Sequence, residues 1–326
     1  MSHLEQFGTV PTASITVLVD NYADLILPSM ETVKRFTKSP LLAEHGFAAL
    51  VDLGGTKILW DAGLTRTAFL ENVARLQVDL GQVSVVALSH GHHDHIAGMT
   101  DALKAICPRP EPRRWEAGTP VEAMAEWARG RRVPLIAHPA AFRERWKVGE
   151  GGVSHGPGIS PPRAEWEAAG AEIVLTDAPS RLAPGCWTTG AVPRRSFEKT
   201  RAFPDRFYRE GNELKPDAIE DDQAIVLQVE GKGLVVLAGC AHAGIVNTVE
   251  HARRISGVDR IWAILGGFHL APAGGEEIRR TVEAVQAFRP ELIVPTHCTG
   301  LQAIGEFSRR MPEQYVAGAV GTTYLF

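Results

Sequence analysis

The order of predicted elements constrains the fold most, because the same order occurs twice along the chain. Each copy is a hairpin around a glycine-containing turn, then a helix, then a strand. The first copy has strands at 47–53 and 57–60, a helix at 65–76 and a strand at 83–88. The second has strands at 223–229 and 234–238, a helix at 245–255 and a strand at 261–265. Two such units with their sheets face to face would give a four-layer αββα sandwich of the α+β class.

Apolar periodicity predicts further elements around the two units. A strand at 13–19 precedes the first unit, and a helix at 99–106 follows it. The second unit is followed by four elements: a helix at 276–288, a strand at 291–294, a helix at 302–309 and a closing strand at 322–326. We expect residues 1–326 to form a single domain, since the chain is long enough for one large core with an insertion.

The segment 107–170 interrupts this regular order and is rich in Pro, Arg and Trp. It contains a predicted helix at 120–129 and one strand-like run at 133–137. Long irregular insertions are often functional, so we interpret 107–170 as a lid over a site, with a surface decoration as the alternative. The segment 194–222 is a second candidate lid, rich in arginine and aromatic residues: Arg194, Arg195, Arg201, Arg206, Arg209, Phe197, Phe203, Phe207 and Tyr208.

The run from Ser89 to His95 follows a predicted buried strand and holds four of the twelve histidines. His90 and His92 are two residues apart in extended chain, so both rings point to the same side and form half of a metal site. Asp94 and His95 come after the chain begins to turn, so they can face a neighbouring position. Imidazole and carboxylate suit zinc, iron or manganese. We therefore expect one or two divalent transition metals, with zinc first.

Other candidate ligands follow the ends of predicted strands and should lie on the same rim: Cys240, His242, His269 and His297. A thiolate is a good zinc ligand, but a small buried cysteine in a tight turn is the alternative for Cys240. His242 points to the same side as Cys240 if the backbone stays extended. His269 lies in a Gly-Gly turn, where it could ligate a metal, bind substrate, supply a proton to a leaving group or make a structural hydrogen bond.

The pattern H-x-H-x-D-H from His90 to His95 resembles the signature of the metallo-β-lactamase superfamily. Asp61 matches the superfamily's earlier aspartate, and His297 matches its late histidine. Cys240 falls where many members have a metal-bridging aspartate. The resemblance extends across most of the chain, and it implies the same duplicated sandwich that the internal repeat predicts.

Three stretches, 239–245, 266–270 and 296–300, resemble one subgroup more specifically. That subgroup is named for a dihydropterin ribofuranosyl-aminobenzene phosphate synthase of methanopterin biosynthesis. The chain departs from the superfamily at 188–193, where many members have a separate histidine and this chain has none. Either His242 substitutes as the third ligand of the first metal, or that site has two histidines. Asp61 is expected to hold a ligand imidazole by its far N–H.

The resemblance implies a metallohydrolase in which metal-activated water attacks the substrate. Asp94 would position that water, and His269 is the second candidate catalytic residue. The arginine-rich segment 194–209 suits a small anionic substrate, phosphate-bearing or heterocyclic, because guanidinium pairs bidentately with phosphate. A solvated surface loop is the alternative. Two other functions stay open: an iron-dependent oxidoreductase or dioxygenase on the same scaffold, and a non-catalytic metal-binding protein.

Composition argues against several other classes of protein. The net charge of −4 gives no general attraction to nucleic acid. The first residues lack the order of a signal peptide, and no apolar stretch is long enough to span a membrane. The four cysteines are scattered and do not form a disulfide framework. We expect a reduced cytoplasmic protein whose partner is a small-molecule substrate, and the sequence leaves a homo-oligomer open.

Overall fold

The computed structural model describes residues 7–152, 154–198 and 204–326. Its strands, numbered along the chain, are β1 (Ser14–Val19), β2 (Val33–Arg35), β3 (Ala48–Asp52), β4 (Lys57–Trp60), β5 (Val83–Ala87), β6 (Val133–Ala137), β7 (Arg145–Val148), β8 (Ser154–Pro157), β9 (Ala171–Leu175), β10 (Ser180–Ala183), β11 (Cys186–Thr188), β12 (Arg206–Glu210), β13 (Glu213–Pro216), β14 (Ala224–Val229), β15 (Gly233–Ala238), β16 (Ile261–Gly267), β17 (Leu292–Thr296) and β18 (Thr322–Leu325).

The α-helices of the same residues are α1 (Arg66–Arg75), α2 (His93–Ile96), α3 (Met99–Ile106), α4 (Val121–Arg129), α5 (Arg163–Ala168), α6 (Ile245–Ser256), α7 (Gly275–Ala287) and α8 (Leu301–Arg310). Among these residues, no helix is both long enough and apolar enough to cross a membrane.

The first large sheet has eight strands in the order β2-β18-β1-β3-β4-β5-β6-β9. Strands β3 and β4 form the antiparallel hairpin predicted around the two glycines. Strand β5 then pairs with β4 in parallel, because helix α1 carries the chain back along the sheet between them. Strands β5, β6 and β9 continue the parallel part of the sheet.

The second large sheet repeats this arrangement with six strands in the order β10-β11-β14-β15-β16-β17. Strands β14 and β15 form an antiparallel hairpin. Helix α6 then connects β15 to β16, which pairs with β15 in parallel, and β17 extends the parallel part. The parallel strands β4 and β5 of one sheet thus correspond to β15 and β16 of the other.

The two sheets pack face to face and bury one core between them, in which Trp60 of the first sheet shares a cluster with Ile225 and Leu237 of the second. The outer face of the first sheet packs on α1, α3 and α5. The outer face of the second packs on α6, α7 and α8. The layers are therefore helix, sheet, sheet and helix, and the predicted four-layer αββα sandwich of the α+β class is confirmed.

Every element predicted within the two repeated units is present, with ends shifted by at most two residues. Strands at 171–175, 180–183 and 186–188 were not predicted. The last two have four and three residues and pair with each other at the edge of the second sheet, and runs this short hold too few positions for an alternating pattern. The run 133–137 was interpreted as part of an insertion, but it is strand β6 of the first large sheet.

A third, small sheet has the order β13-β12-β7-β8. Its strands β7 and β8 come from the segment 107–170, and β12 and β13 come from the segment 194–222. The two candidate lids are therefore joined by antiparallel pairing between β7 and β12. That 107–170 acts as a lid stays a prediction.

Helix α1 is tied to the rest of the first sheet by the buried side chain of Asn72. Its Nδ2 donates to the carbonyl oxygens of Leu18 and Leu42 at 2.9 and 2.8 Å. Its Oδ1 accepts from the Leu42 backbone N–H at 2.8 Å. The amide thus satisfies three polar backbone groups in a region where water does not reach them.

We expect Asn72→Ala to destabilise the protein by roughly 3 kcal/mol, because buried polar groups lose their partners. Urea unfolding followed by circular dichroism measures the loss. Glu71→Ala is the matched control on the same helix, since Glu71 is exposed and pairs with Arg75 in an i,i+4 contact. That variant should change the stability by less than about 0.5 kcal/mol. Equal stabilities of the two variants would contradict the role of Asn72.

Candidate metal centre

Six strands of the two large sheets end at one edge of the sandwich, and a polar side chain follows each of them within two residues. In the first sheet Asp20 follows β1, Asp61 follows β4, and the run from Ser89 follows β5. In the second sheet Cys240, His269 and His297 follow β15, β16 and β17. Because parallel strands share a carboxyl end, these side chains meet.

The loop after β5 passes close to the segment that precedes β7. A Cβ on Gly91 would lie 2.1 Å from the Ala141 carbonyl oxygen, so only glycine fits between His90 and His92. The Gly91 N–H donates to Asp221 Oδ2 at 2.7 Å. The loop is therefore held from outside while the two flanking imidazoles face inward.

A first donor group consists of His90, His92 and His242, whose ligand atoms all lie within 4.8 Å of one another. The ring centroids are 4.5 Å apart for His90 and His92, and 4.9 Å apart for His242 and either of them. His242 thus lies where the third imidazole of a three-histidine site would be. This geometry fits the substitution of His242 for the absent histidine at 188–193.

A second donor group consists of Asp94, His95, Cys240 and His297, again with ligand atoms within 4.8 Å. His95 Nε2 lies 3.1 Å from Cys240 Sγ. Asp94 Oδ2 lies 3.6 Å from His95 Nε2 and 3.4 Å from His297 Nε2. The two halves of the H-x-H-x-D-H pattern therefore face adjacent positions, His90 and His92 toward one and Asp94 and His95 toward the other.

Cys240, His242 and His269 form a third set of mutually close donors that overlaps the other two. The shared direction of Cys240 and His242 was expected for an extended backbone. The backbone between them is not extended. Ala241 has a φ of 49°, in the left-handed region. His269 and His297 are also left-handed, with φ of 44° and 50°. Such residues are costly and concentrate at functional sites.

Hydrogen bonds to the far ring nitrogens set the orientation of two imidazoles. His95 Nδ1 lies 2.7 Å from Asp61 Oδ2. His90 Nδ1 lies 2.9 Å from Ser89 Oγ, whose hydroxyl donates to the same Asp61 oxygen at 2.6 Å. Because these acceptors hold the Nδ1 side of each ring, the Nε2 atoms of His90 and His95 face the centre. The contact expected between Asp61 and a ligand imidazole is present.

His297 is held in the same way by residues that the sequence analysis did not identify. Its Nδ1 lies 2.9 Å from Asn21 Oδ1, and its backbone N–H donates to Asp20 Oδ1 at 3.1 Å. Both partners directly follow β1. The sequence contains a signal for these two residues. They are a polar pair just after a strand, and the other site residues have the same placement.

His45 is another residue that the sequence analysis left without a role. Its Nε2 lies 3.4 Å from Asp94 Oδ2, and its ring lies 5.2 Å from that of His297. Its side chain is 64% exposed. No strand end precedes it, so nothing in the sequence pattern identifies it.

Burial and neighbouring charges shift the pKa values of the donor side chains in different directions. Burial, together with the Arg145 guanidinium, lowers the pKa of His92 to about 4. Burial opposes ionisation of Asp94, but the adjacent imidazoles of His95 and His297 outweigh it and hold the pKa of that carboxyl well below its usual range. Burial also disfavours the charged form of His95, yet Asp94 and Asp61 raise its pKa to about 9.

The residues fit a divalent transition metal. His90 Nε2 and both ring nitrogens of His242 are buried and have no hydrogen-bond partner among the described residues. Buried polar atoms are rarely left in this state unless a ligand satisfies them. Imidazole, thiolate and carboxylate together form a set that zinc accepts.

The donor groups open on a cavity of about 930 Å³. Part of the cavity wall consists of the donors. Another part belongs to the small third sheet and its surroundings, and its residues are Arg145, Trp146, Lys147, Gly158, Ile159, Arg206 and Asp217. The donors and the described residues of the third sheet thus line one cavity.

Of the arginines in 194–209, Arg206 is the one that lines this cavity among the described residues. Arg194 donates instead to the carbonyl oxygens of Ala218 and Ile219. Arg209 pairs with Glu144. Arg201 and Phe203 lie outside the described residues. Among the described arginines of this segment, Arg206 is therefore the one placed to bind an anion in the cavity.

Comparison with known proteins agrees with this architecture. Residues 42–176 match the model of the metallo-beta-lactamase superfamily. The solved structure of Tm1679, described as a metal-dependent hydrolase of the beta-lactamase superfamily, superposes with a TM-score of 0.69. It is 23% identical, over 95% of this chain and 98% of its own. The chain has the metallo-β-lactamase fold, and its residues 42–176 match the model of that superfamily.

Two proteins of Methanocaldococcus jannaschii are similar over nearly their whole length. The 7,8-dihydropterin-6-methyl-4-(beta-D-ribofuranosyl)-aminobenzene-5'-phosphate synthase is 26% identical over 96% of this chain and 96% of its own. The uncharacterized protein MJ0448 is 28% identical over 94% of this chain and 98% of its own. The subgroup resemblance in the sequence is therefore supported by relatives that match from end to end.

We expect Asp61→Asn to weaken zinc binding by roughly ten- to a hundredfold, because the amide no longer holds the His95 imidazole in one orientation. Asparagine tolerates the left-handed backbone at this position, so the fold should be retained. Competition against a chromophoric chelator measures the affinity. Asp52→Asn is the control, since it removes the same charge from a carboxylate that pairs with Lys57 outside the centre. Equal affinities in the two variants would refute the role of Asp61.

Proposed function

We propose that this protein is a metal-dependent hydrolase that acts on a small anionic substrate, phosphate-bearing or heterocyclic. One observation carries the proposal: two donor groups open on the same cavity and are adjacent, since Cys240 of one group and His242 of the other belong to a third set of close donors. Two close metal positions are a recurrent arrangement in hydrolases of phosphate and related esters. The name of the M. jannaschii synthase includes a phosphate ester, and Tm1679 is described as a metal-dependent hydrolase. Both support the choice of reaction and substrate class.

Two sets of residues would hold the metals. His90, His92 and His242 would hold the first, and Asp94, His95, Cys240 and His297 the second. A thiolate favours zinc over manganese, which prefers oxygen ligands. When bound, a divalent transition metal supplies Lewis acidity and lowers the pKa of water into the neutral range.

Asp94 is the residue that we propose as the orienting carboxylate. Its side chain is 19% exposed and lines the cavity. Because its pKa is held low, it stays ionised across the neutral range. It can therefore accept a hydrogen bond from a water molecule at the attacking position and fix the direction of the water's lone pair.

His269 is proposed to serve the leaving group. It lies on the cavity wall beside His242, with ring centroids 4.2 Å apart. Its open functions are metal ligand, substrate contact, proton donor and structural hydrogen bond, and proton donation is the one that we propose. Its place on the cavity wall suits a group that donates a proton as the substrate's bond breaks.

We expect His92→Ala to lose bound metal and to reduce hydrolysis at least a hundredfold, because the first donor group then has two imidazoles. Elemental analysis after purification measures the metal. A panel of bis(p-nitrophenyl) phosphate, p-nitrophenyl phosphate and a lactone measures turnover. His251→Gln is the control, because His251 is buried away from the centre and bonds to the Thr189 carbonyl, a contact that glutamine can make.

Full turnover by a metal-free His92→Ala protein would refute the proposal. Iron in the purified protein, together with oxygen uptake and no hydrolysis across the panel, would instead favour the oxidoreductase on this scaffold. Metal in the wild-type protein with neither activity would favour a metal-binding protein without catalysis.

A further inference from the structure

Three consecutive polar residues, Asp221, Asp222 and Gln223, come directly before β14 and are buried. Their side chains are 0%, 2% and 3% exposed. Carboxylates and amides are costly in such a place unless hydrogen bonds satisfy them. Each of the three bonds to one of the two loops that present the first donor group, the loop after β5 of the first sheet and the loop after β15 of the second. The run therefore connects loops of different sheets.

The loop after β5 is held by Asp221 and Gln223. Asp221 Oδ2 accepts from the Gly91 N–H at 2.7 Å. Gln223 Nε2 donates to the Leu88 carbonyl oxygen at 2.7 Å. The backbone is thus fixed both before and after His90, the first imidazole of the donor group.

The loop after β15, which presents His242, is held by Asp222. The Oδ2 of this carboxylate accepts from the Ala243 N–H at 2.8 Å. The same carboxylate interacts with the backbone N–H of His242 itself. Ala241, just before, has a left-handed backbone, which a residue other than glycine keeps only when its surroundings impose it. Asp222 supplies part of that constraint.

The run is itself anchored from the third sheet. Arg145 of β7 donates from Nη2 to Asp221 Oδ1 and from Nε to Asp217 Oδ2, both at 2.7 Å. The buried charge of Asp221 is therefore paired, as a charge in the interior must be. Ile219, between the two aspartates, has a φ of 51°, an outlier for a β-branched residue. The chain thus enters the run in a costly conformation that these contacts maintain.

His242 differs from three of the other imidazoles in how it is held. The rings of His90, His95 and His297 each have a side-chain partner at Nδ1. Both ring nitrogens of His242 are buried and have no hydrogen-bond partner within the part of the chain that the structure describes. Hydrogen bonding therefore reaches His242 through its backbone, where Asp222 is bonded.

We propose that the run 221–223 positions the first metal site by joining its two loops, and that Asp222 is the positioning residue for His242. In this role Asp222 acts through the Ala243 N–H and does not touch the metal. The proposal rests on the proposed function only in taking the three histidines as ligands of one metal. It accounts for a three-histidine site in a chain that has no histidine at 188–193.

Titration of the metal-free, full-length protein with cobalt(II), followed by visible absorption, tests this. The absorption depends on the ligands and their geometry, and a thiolate-to-cobalt band identifies the second donor group, which contains Cys240. We expect Asp222→Ala to weaken the binding step without this band by about tenfold or more, as is typical when a group that orients a ligand is removed. Asp222→Asn keeps an oxygen that can accept from the Ala243 N–H and should retain most of the affinity.

Asp79→Ala is the matched control. Asp79 Oδ1 also accepts a backbone N–H, that of Gly81 at 2.9 Å, but it lies before β5, whereas the donors follow that strand. Both binding steps should be unchanged. Circular dichroism of the metal-free variants checks the fold. Gln223→Met, which loses the bond to Leu88 with little change in volume, should weaken the same step and tests the run if Asp222→Ala does not fold.

A double-mutant cycle separates positioning from a general loss of stability. Because Asp222 acts through His242, adding Asp222→Ala to His242→Ala should cause no further loss of cobalt affinity. Losses that add would mean that Asp222 acts in another way, and the proposed role would be rejected.

Wild-type affinity in Asp222→Ala or, if that variant does not fold, in Gln223→Met would also overturn the proposal. Equal losses in Asp222→Asn and Asp222→Ala would show that the charge matters and the accepted N–H does not. A wild-type protein with the thiolate-marked step alone would mean that the three histidines hold no metal. These readouts are independent of turnover. A protein that hydrolyses nothing but shows the expected losses would reject the proposed function and leave the positioning role standing.

Discussion

The buried carboxylate of Asp61 is the interaction on which the rest of the centre depends. It is fully buried at the end of β4 and accepts from the Ser89 backbone N–H and hydroxyl and from His95 Nδ1. A charge in such a place is tolerated only when it is fully hydrogen-bonded. Ser89 and His95 supply these hydrogen bonds. The first turn after β5 and the His95 ring are therefore held in place by the same carboxylate. Asp20 and Asn21 do the same for His297 from β1.

The repeated part of the fold could be predicted from sequence because its signals are local. Hairpins around glycine, amphipathic helices such as α3 and buried strands such as β5 each have a pattern within a few residues. The small third sheet has no such signal. Its strands β7 and β12 are about sixty positions apart in sequence and pair across that distance, so their register is decided by tertiary contacts. Strand β6 was misassigned because an irregular segment separates it from β5.

In the candidate site, too, some residues could be predicted from the sequence and others could not. Residues within two positions of a strand's end, such as Cys240 and His297, could be predicted because the carboxyl ends of parallel strands meet. Arg145 and Asp221 could not, because neither follows a strand of the two repeated units and each is significant only through the other. His45 depends on a loop whose path is set by packing. Sequence thus identifies the donors, while the residues that shape the cavity around them are identified by their neighbours in space.

The small third sheet lies outside the duplicated sandwich, and its pairing does not involve the strands that present the donors. The hairpin 206–216 can therefore change without altering the strands that present the imidazoles. Arg145 of β7 cannot, because it bonds to Asp221, which in turn holds Gly91 of the metal loop. If the proposed function holds, exchange of that one hairpin would give a new specificity and leave the reaction chemistry intact.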